Sequence, residues 1–311
     1  MGRPRRHRLT WAMMRSARRN QAIDLDGRVL MMNHAQSQPP LADAHIHLFA
    51  DSFSLELRER HPEGELAQYE GLRSTYGIED ALVIGFEGDP RFAGNNAYIL
   101  GLAAGRSWLH PVMYVDESTN SDRAAALLDR GYEGISLYVE PSRCASTGWM
   151  GWANEIFALA DARRSILSIN APAATHATIA ELAGRHPRAR ILLGHLGLPG
   201  VAPAPDSARL AATRDLVLNH PCWIKLSGTY ACARPCDQDP HTASSAWMHW
   251  LLESVGTDRL IWGSDFSPAL AHMTYQQTIA LPPLQTLPPT AQTNIYGATL
   301  RRLLASGHQG Q

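Results

Sequence analysis

From about residue 41 to residue 305 the chain alternates between two textures. Short apolar, β-branched runs are followed by longer stretches rich in Ala, Leu and Arg. The short runs are Leu41–His47, Ala81–Gly85, Pro111–Val115, Gly134–Tyr138, Ile166–Asn170, Ile191–His195, Trp223–Ser227 and Leu260–Asp265. Their length and branching predict strands. Between them Ala97–Gly105, Asp122–Arg130, Trp152–Arg163, Ala174–His186, Ser207–His220 and Ala246–Val255 predict helices. Strands alternating with helices pair in parallel through right-handed crossovers. Eight such units, with no glycine-rich phosphate loop after the first, predict a closed (β/α)8 (TIM) barrel in a single domain rather than an open doubly wound sheet. The proline-rich patch Leu281–Pro289 leads into an extra C-terminal helix, Gln292–Leu304, expected on the outside of the barrel.

Such a barrel does its chemistry where the strands end. Polar residues finish otherwise apolar strands at that end: His45 and His47 on the first strand, Asn170 on the fifth, His195 on the sixth, Ser227 on the seventh and Asp265 on the eighth. In a regular strand side chains alternate, so His45 and His47 are expected on one face together with Asp43. Two imidazoles aimed at one point can bind a metal ion or polarise a carbonyl oxygen.

Composition changes this picture little except at the ends. The 311 residues leave room for one barrel, and the net charge of −1 gives no global pull toward nucleic acid or anionic membrane. No apolar run is long enough to span a bilayer. Residues 1–20 hold seven arginines and no acid. With no apolar segment behind them they read as a disordered extension over 1–38 rather than a secretory signal, so the barrel is expected over 39–306, with 307–311 a tail and the protein cytoplasmic. Met31 or Met32 is the more natural start of the domain. The four cysteines suggest no disulfide framework; Cys232, Cys236 and His241 form a loose cluster that lacks the fourth ligand of a zinc knuckle, and reduced thiols are the simpler reading.

The motifs Asp43-Ala44-His45-Ile46-His47, Gly194-His195-Leu196-Gly197, Lys225-Leu226-Ser227-Gly228 and Gly263-Ser264-Asp265-Phe266-Ser267-Pro268 occur in this order along residues 41–305. With the closing segment Ile295–Leu303, they resemble the amidohydrolase superfamily, in the branch that holds lactonases and aromatic-acid decarboxylases. The resemblance implies that His45, His47 and Asp265 occupy metal-ligand or substrate-polarising positions. It also implies that His195 lies near the reacting oxygen and that Asp265 takes a proton from water. Three departures stand out. Asn170 stands where a histidine usually completes a zinc site, and an amide oxygen is a poorer zinc ligand. Ser136 stands where many relatives carry Lys or Arg on the fourth strand. Gly297 stands where the closing helix usually has Asn.

One argument needs no relatives. The chain has a single lysine, Lys225, on the seventh strand. It cannot supply the carbamylated lysine with which binuclear members bridge two metals on the fourth strand, and Glu133 or Glu140 would be needed instead. The choice is one divalent metal, zinc, or none. The expected reaction is water attack on a lactone or ester carbonyl, with Asp265 as general base and His45, His47 and His195 polarising the carbonyl or holding the metal.

Substrate contacts are expected from Asn170, Tyr138, Arg91, Ser227 and Tyr230, with Arg143 and Arg234 on neighbouring loops. Arginines there would suit a small carboxylate-bearing substrate. Trp108, Trp149 and Trp152 read as packing. Two other functions share the scaffold: a zinc-dependent non-oxidative decarboxylase, and a ligand-binding barrel with degraded activity. A homodimer through the outer helices is compatible with either; nucleic-acid and membrane partners are not expected.

Overall fold

The computed structural model describes residues 40–144, 146–201, 205–206, 208, 210–233 and 241–307. The expected basic extension over 1–38, the tail 308–311, Arg234 and Cys236 lie outside the described residues. Eight strands form one sheet in the order β1 to β8, every neighbouring pair parallel. They are β1 Leu41–Ile46, β2 Ile78–Ile84, β3 Leu109–Tyr114, β4 Gly134–Tyr138, β5 Ile166–Asn170, β6 Arg190–Leu193, β7 Cys222–Leu226 and β8 Leu260–Trp262. The ring closes where Ile46 pairs in parallel with Phe266 and Asp265 N–H donates to the His45 carbonyl at 2.8 Å.

The helices are α1 Leu55–Arg60, α2 Glu65–Tyr76, α3 Asn95–Ala103, α4 Ser121–Leu128, α5 Pro141–Cys144, α6 Thr147–Arg163, α7 His176–Arg185, α8 Ala211–Asn219, α9 His241–Val255, α10 Tyr275–Ile279, α11 Pro289–Thr293 and α12 Thr299–Gly307. The apolar residues on the outer faces of the strands join those of the helices in one continuous core. Trp149 is buried in it, Trp152 donates its indole N–H to the Thr119 carbonyl, and Trp108 stacks on Tyr69. These three tryptophans pack, as the sequence implies.

Two expectations need correction. The first concerns β1. Asp43 pairs with Ala81, but Ile46, three residues later, pairs with Val83, only two residues later. One extra residue on β1 is a β-bulge, and it resets the alternation of side chains. His45 and His47 therefore share a side, while Asp43 turns to the helices. There it accepts hydrogen bonds from the hydroxyls of Tyr69 on α2 and Tyr275 on α10, both at 3.2 Å.

The second concerns the last helix, which does not lie on the outside. Arg301 of α12 donates to the carbonyls of Pro40 and Leu41 at the start of β1, and to Asp80 near the start of β2. Arg190, the first residue of β6, reaches back to the Leu303 carbonyl and to Ser306. Leu300, Leu303 and Leu304 pack onto Ala42, Ala44, Leu82, Val112, Ile166, Leu192 and Ile261. Contacts to the starts of strands so far apart in the ring make α12 the floor of the barrel. A π-helical turn over Asn294–Ala298 steers the chain into it. At Gly297 a Cβ would fall 2.8 Å from the Pro40 carbonyl oxygen, so only glycine permits this approach to β1.

Candidate active site

The floor leaves the opposite end of the strands to chemistry. His45 and His47 project there from the end of β1. His195 and Asp265 follow β6 and β8, which stop at Leu193 and Trp262, earlier than the sequence pattern suggests. The reason is backbone geometry. His195 has φ 50° and Asp265 φ 59°, left-handed values uncommon for residues other than glycine. The turn ends the ladder and swings each side chain into the mouth. Gly228 makes room for the His195 ring, since a Cβ there would lie 2.2 Å from its Nδ1.

The four side chains converge and are all at least 90% buried. His45 Nε2 and His47 Nε2 are 3.1 Å apart. Asp265 Oδ1 lies 3.6 Å from the first and 3.9 Å from the second. Asp265 Oδ2 accepts a 2.7 Å hydrogen bond from the Tyr230 hydroxyl and lies 3.9 Å from His195 Nδ1. His47 Nδ1 is fixed against the Ile84 carbonyl at 2.8 Å. From inside the barrel, Lys225 Nζ reaches His45 Nδ1 at 3.2 Å and Ser168 Oγ at 2.8 Å. Asp265 does not cap a helix: its oxygens face the histidines and Tyr230.

Burial sets the protonation states. It pushes Asp265 up to about 6, against the opposing pull of His47, the Tyr230 hydrogen bond and Lys225. It pushes His47 and His195 down to about 4, and His45 well below the usual imidazole range. It lowers Lys225 to about 7, with Asp265 and Asp43 pulling the other way. At neutral pH the site holds three uncharged imidazoles facing one ionised carboxylate.

Of the residues expected at substrate, Tyr138 and Asn170 are paired across the ends of β4 and β5, where the Val139 N–H donates to the Asn170 carbonyl at 2.9 Å. Tyr230 holds Asp265. Ser227 is buried, and its hydroxyl lies 3.3 Å from both the backbone N and Nδ1 of His195. Arg91 is not brought to the cluster. Its guanidinium is 66% exposed and turned onto Asp89, as Arg143 is turned onto Glu117. Ser136 is buried within β4. Cys232 and His241 are both buried, but their expected partner Cys236 lies outside the described residues.

Two side chains escaped the sequence reading. Lys225 stood out as the lone lysine, not as a member of the site. Glu65, at the start of α2, accepts from the backbone N–H of Phe49 and Phe53 and from Ser267 Oγ. It thereby ties the loop after β1 to the loop after β8. An acid in the first turn of a helix is unremarkable on its own, and nothing local marks these distant partners.

His45, His195 and Asp265 offer ligand atoms within 4.8 Å of one another. The His45, His47 and Asp265 separations approach the roughly 3.3 Å expected between ligands about 2.0–2.1 Å from one tetrahedral zinc. Spacing therefore admits one ion. The chemistry behind the ligands does not. A ligating imidazole normally donates its second ring N–H to an acceptor, but behind His45 Nδ1 stands Lys225 Nζ, which also donates to Ser168 and can accept only as a neutral amine. Asn170 adds an amide where a further imidazole would help. As arranged, these residues do not fit a metal centre.

The parallel eight-stranded barrel with a buried histidine–aspartate cluster at the strand ends is a TIM-barrel amidohydrolase fold. The amidohydrolase family model matches residues 42–305, and the chain belongs to that family. No curated protein matches the sequence. Among solved structures, the chain is similar to a probable 2-pyrone-4,6-dicarboxylic acid hydrolase from Acinetobacter baumannii with citric acid bound. Identity is 17%, the TM-score 0.67, and the match covers 85% of this chain and 99% of that one. It is also similar to an amidohydrolase from Burkholderia multivorans, seen once with HEPES and once with zinc. Identity is 18% in both, the TM-scores are 0.70 and 0.69, and each match covers 86% of this chain and 99% of the other. At these identities the likeness establishes the fold alone. Among the described residues no helix is long and apolar enough to cross a membrane.

Proposed function

We propose that the protein is a hydrolase that opens a lactone or ester C–O bond without a bound metal. The observation that carries this reading is the placement of Asp265. Tyr230 pins one carboxylate oxygen, and the other faces two imidazoles across a gap of less than 4 Å. Water held at Asp265 attacks the carbonyl carbon, and its proton passes to the carboxylate. The carbonyl oxygen gains negative charge and takes hydrogen bonds from the imidazoles; at least one of them must present an N–H, and His45 Nε2–H, shared between the carbonyl oxygen and His47 Nε2, is that group. When the tetrahedral intermediate collapses, the C–O bond breaks and the leaving alkoxide recovers the proton from Asp265. The product is a hydroxy acid, or an acid and an alcohol. A base whose pKa lies near 6 is mostly ionised at neutral pH and still strong enough to accept the proton. Asn170 and Tyr138 contact the substrate from the neighbouring strand ends.

The first substrates to test are small carboxylate-bearing lactones, because a structurally similar hydrolase was captured with citric acid. A panel of lactones and esters, run with and without chelator, tests the reading. Turnover that survives chelation supports it. Stoichiometric zinc in freshly purified protein, with turnover lost on chelation, overturns it and favours a metal-dependent reaction such as non-oxidative decarboxylation.

A further inference from the structure

We infer that Lys225 is a positioning residue that holds His45 as its Nε2–H tautomer, so that the nitrogen facing the mouth carries a proton and is closed to a metal ion. The inference rests on the reading of His45 as the group that polarises the substrate carbonyl. It follows from a chain of hydrogen bonds whose direction is fixed at one end.

The fixed end is the Ile84 carbonyl. A carbonyl oxygen only accepts, so His47 Nδ1, 2.8 Å away, must be the protonated nitrogen. With that proton on Nδ1 the uncharged His47 ring has none on Nε2, which is a lone pair. His45 Nε2 stands 3.1 Å from that lone pair. Two lone pairs at this distance would repel, so His45 Nε2 carries a proton and donates. The neutral His45 ring has only one proton, which leaves Nδ1 as an acceptor. Lys225 Nζ fills that role at 3.2 Å and gives another proton to Ser168 Oγ at 2.8 Å. An ammonium and a neutral amine both have enough N–H bonds for these two donations, so the direction does not depend on the charge of Lys225.

A metal at His45 Nε2 would reverse every link. It would take the Nε2 lone pair, move the proton to Nδ1 and aim that proton at Lys225 Nζ. An ammonium has no lone pair to receive it, and a neutral amine could receive it only by giving up its donation to Nδ1. Lys225 spans the barrel from β7 to the first and fifth strands and is fully buried, so it cannot swing aside into solvent. The fold has put a donor where a zinc site needs an acceptor.

Two measurements test this without reference to turnover. In wild-type protein labelled with 15N at the histidine rings, long-range 1H–15N spectra report which nitrogen of each ring is protonated; the His45 signals are identified by their loss in His45→Gln. The expected result is a protonated Nε2 and an acceptor Nδ1. Zinc titration then compares wild type with Lys225→Gln, whose amide oxygen can accept from Nδ1–H, and with Lys225→Arg, which keeps a donor. Lys225→Gln should bind zinc about 10–100-fold more tightly than wild type, and Lys225→Arg no more tightly than wild type. The inference is overturned if wild-type His45 is protonated at Nδ1, or if Lys225→Gln, shown to be folded by circular dichroism, gains no zinc affinity. The spectrum of the wild type needs no variant at position 225 to fold. Since neither readout involves a substrate, a failed lactone panel and a failed tautomer assignment are separate outcomes.

Discussion

The two ends of this barrel bury cations in opposite ways. At the floor, Arg190 is planted at the start of β6 and spends its donors on the Leu303 carbonyl and the Ser306 hydroxyl. A guanidinium stays charged throughout the usable pH range, and backbone carbonyls do not titrate. On the neighbouring strand Lys225 points the other way: besides Ser168 it meets His45, and with it a cluster that titrates, three histidines and Asp265. Arg190's hydrogen-bond partners at the floor have fixed states. The mouth is built from partners whose states depend on one another. That difference separates architecture from chemistry.

The comparison can be broken most forcefully at Asp265. Asp265→Asn keeps the shape and removes the base, so kcat/KM on a confirmed substrate should fall by about 10²–10⁴, with the thermal midpoint little changed. The opposite pattern is expected at the floor. Leu303→Ala opens a cavity under the strands and should cost about 2–5 kcal/mol in denaturant unfolding, while the folded enzyme keeps its kcat. If Leu303→Ala lowered kcat at full folding, the two ends would not be independent.

A finer test uses pH. Only ionised Asp265 can accept a proton, so kcat/KM should rise with pH and level off above the Asp265 pKa of about 6. Tyr230 donates to the charged form and so holds that pKa down. Tyr230→Phe should move the acid limb of the profile to higher pH by about one unit, equivalent to about 1.4 kcal/mol. An unmoved limb would mean that Tyr230 does not act on the base. The smallest effect is expected at the rim. Arg91→Ala breaks an exposed pair with Asp89 and should change stability by less than about 1 kcal/mol, with KM nearly unchanged. A large rise in KM would bring Arg91 back to the substrate.

Much of this architecture was legible because strands and helices of a parallel barrel repeat with a clear rhythm. Gly134–Tyr138 and Ile166–Asn170 match the observed strands to the residue. The gathering of His45, His47, His195 and Asp265 was legible too, since each stands at the end of an apolar run. What was hidden depends on local irregularity or distance. The bulge in β1 cannot be read from alternation, and it sends Asp43 to Tyr69 instead of the mouth. The left-handed turns at His195 and Asp265 shorten β6 and β8, yet neither residue type demands such a turn. The apolar stripe of the last helix shows that it packs but not at which end of the barrel. Lys225 looked like an ordinary strand residue, because its partners His45 and Ser168 are 180 and 57 residues away.

The floor also has a consequence in time. Leu41 begins the barrel, and the arginine that clasps its carbonyl is Arg301, 260 residues later. Arg190 waits 113 residues for Leu303. During synthesis, the apolar residues at the base of the earlier strands stay uncovered until α12 has left the ribosome. A nascent barrel of this kind is therefore uncovered at its base for most of its translation.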